Sequence, residues 1–298
     1  MKQKPRAQTK TQAKKWELQM LLDTPPDEWP TDSPQMFRAV LANPAASHAD
    51  KLIAAELAGE YIAIDDESAN VLMGILGSAT EPEDLRARAA ISLGPALEGC
   101  DIGEFDDPHA PPPISEEVFE KIKRLLHLLY HEDSVPKLVQ RRILEASVRA
   151  EEKWHAQAVR RAYNSKDAEW VLTAVFCMKY VNGFEKEIEE ALRSTDPEVH
   201  LQAVEAAGAQ EVDEAWEHVY SLLENADTTP KSLLIAAIGA VANIRQDTPS
   251  LEILNHLVDS EDIDVSDAAD DALAMAGAYT PFDEDDLDAH GDASGWIN

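Results

Sequence analysis

The chain has 298 residues, 26 of them basic and 57 acidic, for a formal net charge of −31. A hydrophobic content of 44% at this length excludes wholesale disorder and is ample for one large domain or two ordinary ones. The only two cysteines, Cys100 and Cys177, exclude a disulfide framework and a four-cysteine zinc site.

Residues 1–15 carry six Lys/Arg and no acid, with no apolar stretch of a secretory signal behind them. Residues 1–31 lack a period and form a basic N-terminal tail and lead-in segment. From 32 to 278 the pattern is helical throughout. The expected helix pairs are 33–42 with 48–64, 68–77 with 83–97, 115–131 with 135–150, and 152–164 with 167–181. Then come 184–193 with 197–209, 213–223 with 230–245, and 249–258 with 264–278. Between the second and third pairs, residues 98–113 hold Gly99, Gly103, Pro108 and Pro111-Pro112-Pro113 and read as an inserted, non-helical loop. Residues 279–298 form an acidic C-terminal tail. No apolar run approaches the roughly 20 residues of a membrane span. A soluble, reducing compartment, the cytoplasm, is the expected location.

The pairs share a step of small residues. Ala54-Ala55 leads to Gly59, Ala89-Ala90 to Gly94, Ala203 to Gly208, and Ala236-Ala237 to Val241. A shifted copy is Ala268-Ala269 with Leu273 and Ala274. Successive steps near 59, 94, 208, 241 and 274 give gaps of 35, 33 and 33 residues apart from the long interval 94–208. A period of about 30–35 residues means stacked supersecondary units, and Ala or Gly at the contacts lets helix backbones approach. Helix starts are marked by a capping side chain before proline: Ser33-Pro34, Asp196-Pro197, Thr229-Pro230 and Thr248-Pro249. The expected fold is all-α, an α-solenoid of about seven stacked antiparallel helix pairs.

Two segments, Asp84-Leu-Arg-Ala-Arg-Ala-Ala-Ile-Ser-Leu-Gly94 and Asp264-Val-Ser-Asp-Ala-Ala-Asp-Asp-Ala-Leu-Ala274, resemble the second helix of HEAT repeats. That helix reads Asp-Val-Arg, an alanine pair, then Leu-Gly. The resemblance covers roughly 33–278. It departs in the third and fourth pairs, where bulky Arg142, Ile143, Phe176 and Met178 stand in place of small residues. It implies a superhelix with second helices on the concave face and first helices on the convex face, in a family mostly of protein-binding scaffolds.

Charge is unevenly placed. Residues 121–166 hold eleven Lys/Arg against five Asp/Glu, whereas after Arg245 there are fifteen Asp/Glu and no Lys or Arg. The candidate binding cluster is Arg141, Arg142, Arg149, Lys153, Trp154, His155, Arg160, Arg161, Tyr163 and Trp170. Cations interleaved with aromatics suit a carboxylate-rich peptide or a nucleic acid. The alternative is that Trp154 and Trp170 are packing anchors and the arginines pair with acids of neighbouring helices. His127 and His131, four apart on a helix, could face one metal, but a single following His131-Glu132 pair cannot close a coordination sphere. Residues 100–109 lack calcium-loop spacing. Cys177, in Val175-Phe-Cys-Met, reads as a buried, inert thiol. No catalytic residue, metal or cofactor is assigned.

The leading functional expectation is a non-catalytic scaffold binding a protein partner, of basic character, along the concave face. A negative field of this size repels nucleic acid and anionic membranes. The alternatives are a nucleic-acid-binding or repair solenoid using the central basic cluster, and a lyase or hydroxylase on a HEAT scaffold. The acidic tail, with Phe282, Leu287, Trp296 and Ile297 among its acids, has two readings: a disordered, solubilising segment, the reading favoured for a chain end, or a segment that competes for the basic cluster within one chain or between two.

Overall fold

The computed structural model describes residues 17–102, 105 and 111–278. All regular structure among the described residues is helical, with no strand. The chain divides into two compact units, Met1–Glu152 and Lys153–Asn298.

In the first unit α1 (Leu18–Leu22) and a 3-10 turn (Pro26–Glu28) lead into α2 (Ser33–Ala42) and α3 (His48–Leu57). Then follow α4 (Asp66–Gly77), α5 (Glu83–Ile91), α6 (Gly94–Ile102), α7 (Glu116–Tyr130) and α8 (Lys137–Ser147). Helix packs on helix in two rows. Partners α2–α3, α4–α5 and α7–α8 pack against each other; α2, α4 and α7 neighbour one another in one row, and α3, α5 and α8 in the other. Apolar side chains at three- and four-residue steps drive this. Leu72, Leu76, Leu85, Ile122, Leu126 and Ile143 are fully buried.

The second unit repeats the scheme with α9 (His155–Tyr163), α10 (Ala168–Cys177), α11 (Glu185–Ala191) and α12 (Pro197–Ala209). It continues through a 3-10 turn (Asp213–Ala215) into α13 (Trp216–Glu224), α14 (Lys231–Ile244), α15 (Thr248–Val258) and α16 (Ile263–Ala278). Helices α10, α12, α14 and α16 pack successively on one another.

The small-residue step has a visible job. A Cβ on Gly59 would lie 2.5 Å from Ser92 Cβ, and a Cβ on Gly208 would lie 2.6 Å from Ala240 Cα. Gly208 lets α12 rest on α14 with backbones nearly touching, and Gly59, two residues past the end of α3, does the same for the turn that meets the end of α5 at Ser92. The partner lies 92 − 59 = 33 residues on in one case and 240 − 208 = 32 in the other.

Second helices also close the preceding first helices. Arg86 Nε donates to the carbonyl of Leu76 at 2.9 Å, and Gln140 Nε2 to that of Tyr130 at 3.5 Å, in both cases ten residues back. Ser266 Oγ donates to Val258 O at 2.6 Å. Each satisfies a carbonyl that a helix end leaves without an internal partner.

The structure departs from the sequence reading at several ends. The helix expected over 83–97 breaks after Ile91 and restarts at Gly94. Pro95 explains this: it has no N–H for the Ile91 carbonyl, yet suits the first turn of a new helix. The loop expected over 98–113 is helical as far as Ile102, and Cys100 is 3% exposed with its Sγ 3.9 Å from Ile114 O. Residues 103, 104 and 106–110 of that loop, and both tails, 1–16 and 279–298, lie outside the described residues. Helix α3 stops at Leu57 rather than 64 and gives way to turns.

Among the four capping signals, Asp196 caps as read, accepting from Glu198 N and Val199 N. Ser33 and Thr248 are instead first helical residues behind Asp32 and Asp247, and Asp247 supplies the α15 cap through Ser250 N. Thr229 turns backwards, its hydroxyl donating to Leu222 O and Asn225 O at the end of α13.

Candidate functional site

The basic cluster read from the sequence divides between the two units. Arg141, Arg142 and Arg149 belong to the first; Lys153, Trp154, His155, Arg160, Arg161, Tyr163 and Trp170 belong to the second. On α8, Arg141 is 4% exposed, so its guanidinium does not lie on an open surface. Arg142 pairs with buried Glu145 one turn away. Arg149, after α8, reaches Glu98 of α6 at 2.6 Å and lies against Gly94, where an added Cβ would sit 2.8 Å from its Nε and push the side chain aside.

In the second unit Lys153, Arg160 and Arg161 are exposed, while His155 is fully buried with its ring 4.0 Å from that of Trp154. The Arg160 guanidinium sits 5.0 Å over the Phe184 ring. Tyr163 donates from its hydroxyl to Glu187 O (3.3 Å) and Glu190 Oε2 (3.4 Å). Burial, then the Glu190 carboxylate, pushes the phenol pKa up to about 12. Trp170 is half-buried. The cluster therefore mixes buried members, Arg141 and His155, with the exposed cations Lys153, Arg160 and Arg161.

The His127 and His131 rings meet edge-on with centroids 4.9 Å apart. Among the described residues no group of three or more His, Cys, Asp or Glu converges as a metal site. Both cysteines are buried, and burial raises the Cys100 thiol to about 11. A second histidine pair went unread in the sequence. His200 on α12 and His218 on α13 bring their Nε2 atoms within 2.8 Å. One ring must donate and the other accept, so the accepting ring is a neutral imidazole and the contact is lost when both are protonated. Burial lowers both pKa values, and His200 and Arg193 lower that of His218 further.

Each unit carries a hollow among its described residues. The first unit has one of about 380 Å³ whose wall includes Leu52, Ala87, Ile91 and Leu138. The charges at its edge are matched: His48 binds Asp84 at 2.7 Å, Arg88 binds Glu56 at 3.3 Å, and Arg142 binds Glu145.

The second unit has a groove of about 1000 Å³ formed by α13, α14, α15, the start of α16 and the turns between paired helices. Its floor is apolar, with Leu223, Leu234, Leu257 and Val265 all buried. Its rim carries Glu224, Asp227, Glu252, Asp259 and Glu261, all exposed. Lys231 at the edge is neutralised by Asp262 (2.7 Å) and Asp264 (2.5 Å), which raise its pKa. The sequence signal for this groove was the run without Lys or Arg after Arg245. The last cation, Arg245, is itself held by Asp213 at 2.5 Å and lies 4.8 Å over the Trp216 ring.

Compared with known proteins, the chain matches no protein-family model and no curated protein. No described helix is long and apolar enough to cross a membrane.

Proposed function

We propose that the chain is a non-catalytic protein–protein interaction scaffold, built as a HEAT-like array of helix pairs, that binds a basic protein partner. The observation that carries this reading is the recurrent close backbone approach between successive second-helix segments, Gly59 just past α3 to Ser92 just past α5 and Gly208 of α12 to Ala240 of α14, at offsets of 33 and 32 residues. Repeated contacts of one kind align equivalent helices in a row, and such a row offers an extended face to a partner. In this reading the second helices line the concave face. A net charge of −31 favours a basic partner surface and speeds its encounter.

The test is cross-linking of the tagged chain in its native host, followed by purification and mass spectrometry. The scaffold reading expects a stoichiometric protein whose cross-links fall on second helices or on the open edge of the second unit. Recovery of nucleic acid as the stoichiometric companion, or a chain free of any protein cross-link, counts against it.

A further inference from the structure

We propose that the groove of the second unit is the docking site for a basic amphipathic segment of a partner protein: a short run with one apolar face, flanked by Lys or Arg. This rests on the scaffold reading and deepens it by naming where and what the partner presents.

Three features of the groove converge. Its floor, Leu223, Leu234, Leu257 and Val265, is continuous with the core under α13–α16, so an apolar side chain entering it leaves water for hydrocarbon contacts. At about 1000 Å³ it has room for several side chains. Its rim, Glu224, Asp227, Glu252, Asp259 and Glu261, surrounds that floor with exposed carboxylates.

Charge balance selects the occupant. Lys231 is already held by two aspartates and Arg245 by one, so neither offsets the rim. His256 is the other basic side chain of the lining, one against the five exposed carboxylates of the rim. An acidic or neutral apolar segment would meet unopposed repulsion or leave the rim uncompensated. A segment with an apolar anchor and flanking cations satisfies floor and rim together. The walls also favour contact with something bulky: Tyr220 stands in the groove with its ring stacked 4.7 Å on Trp216, a rigid aromatic wall.

The test uses three labelled peptides of about five helical turns each, roughly 18 residues. One is an amphipathic Leu/Lys helix, one carries Glu in place of Lys, and one carries Ser in place of Leu. Binding to the full chain is read by fluorescence anisotropy and mapped by hydrogen exchange. The Leu/Lys peptide is expected to bind, to protect residues 220–265, and to weaken as salt rises. The Ser/Lys peptide should bind roughly tenfold more weakly, and the Glu peptide not at all.

The double variant Glu252→Lys/Glu261→Lys should weaken the Leu/Lys peptide by about tenfold or more. The matched control Glu185→Lys/Glu214→Lys makes the same charge change at exposed sites on other parts of the unit and should shift it less than about twofold. Because all four glutamates are exposed, helical circular dichroism should be unchanged in both variants. Equal loss in the two variants, protection elsewhere, or binding of the Glu peptide overturns the proposal. A native partner that cross-links to second helices while the Leu/Lys peptide fails to bind leaves the scaffold reading standing and removes this one.

Discussion

Replacing Gly208 by alanine sets a methyl group against backbone that cannot rotate away. The new Cβ would lie 2.6 Å from Ala240 Cα and 2.8 Å from Ala240 Cβ. That is about 1 Å short of a comfortable carbon–carbon contact of ~3.5–4.0 Å. Overfilling a packed contact costs about 1–3 kcal/mol, and a backbone obstacle belongs at the upper end. Alanine returns about 1 kcal/mol of helix propensity over glycine. The net expected loss is therefore about 2 kcal/mol. Gly239, one residue before Ala240 on α14, is the internal control, since nothing lies within 4 Å of a Cβ placed there. Gly239→Ala should stabilise by at most about 1 kcal/mol. Urea unfolding followed by helical circular dichroism reads both. With a slope of about 2 kcal/mol/M, Gly208→Ala should lower the midpoint by about 1 M while Gly239→Ala leaves it equal or higher. A Gly208→Ala midpoint at or above that of the parent chain refutes the close contact, and with it the main structural support for a repeating array.

Arg86→Met removes the donor that holds the Leu76 carbonyl and should cost about 1–3 kcal/mol in the same assay; an unchanged midpoint would show that this bond contributes nothing. The half-buried imidazoles of His200 and His218 titrate below the ordinary 6.5, chiefly through desolvation, so the folded chain binds fewer protons than the unfolded one. Their contribution is complete above 6.5 and is lost as pH falls through the lowered folded values, so melting temperature should drop as pH falls below 6.5, with His218→Phe flattening the drop. Ring-proton titration midpoints at or above 6.5 would contradict this. With its thiol near 11 rather than 9.0, Cys100 should alkylate roughly a hundredfold more slowly than an ordinary thiol near pH 8 and recover on unfolding; equal rates in folded and unfolded chain would contradict its burial. Lys231→Glu should lower the melting temperature by setting three acids together, and less so in high salt; a salt-independent change would point to packing instead.

The helices were legible because packing and periodicity speak through single residue types. Alanine pairs marked the faces where α3, α5, α12 and α14 meet their neighbours, and the close approaches at Gly59 and Gly208 sit where the step predicted them. Element ends were less legible because a hydroxyl has two uses. Thr229 precedes a proline as a cap would, yet it bonds backwards to α13. Pro95 was overlooked within an otherwise strong apolar pattern, although its missing N–H decides where α5 ends. The surroundings of the basic cluster were illegible for a different reason. Arg141, Arg142, Arg160 and Arg161 are close in sequence, and nearness along the chain was read as nearness on a surface. Packing buries Arg141 and matches Arg142 to Glu145. The groove residues from Tyr220 to Val265 form no motif in order along the chain, and meet only when α13 and α15 lie side by side. What the sequence did carry was part of their charge: Glu252, Asp259 and Glu261 belong to the long run of acids after Arg245, whereas Glu224 and Asp227 precede it.

The most direct measurement is competition for the native partner. The complex captured from the host is challenged with the Leu/Lys peptide and, separately, with its Glu counterpart, and the partner released is quantified. If a basic segment of that partner occupies the acidic groove, the Leu/Lys peptide should displace it in a dose-dependent way, the Glu peptide should not, and the Glu252→Lys/Glu261→Lys chain should capture little partner from the outset. A stoichiometric partner that stays bound at saturating Leu/Lys peptide, and is captured equally well by the charge-reversed chain, would contradict the account.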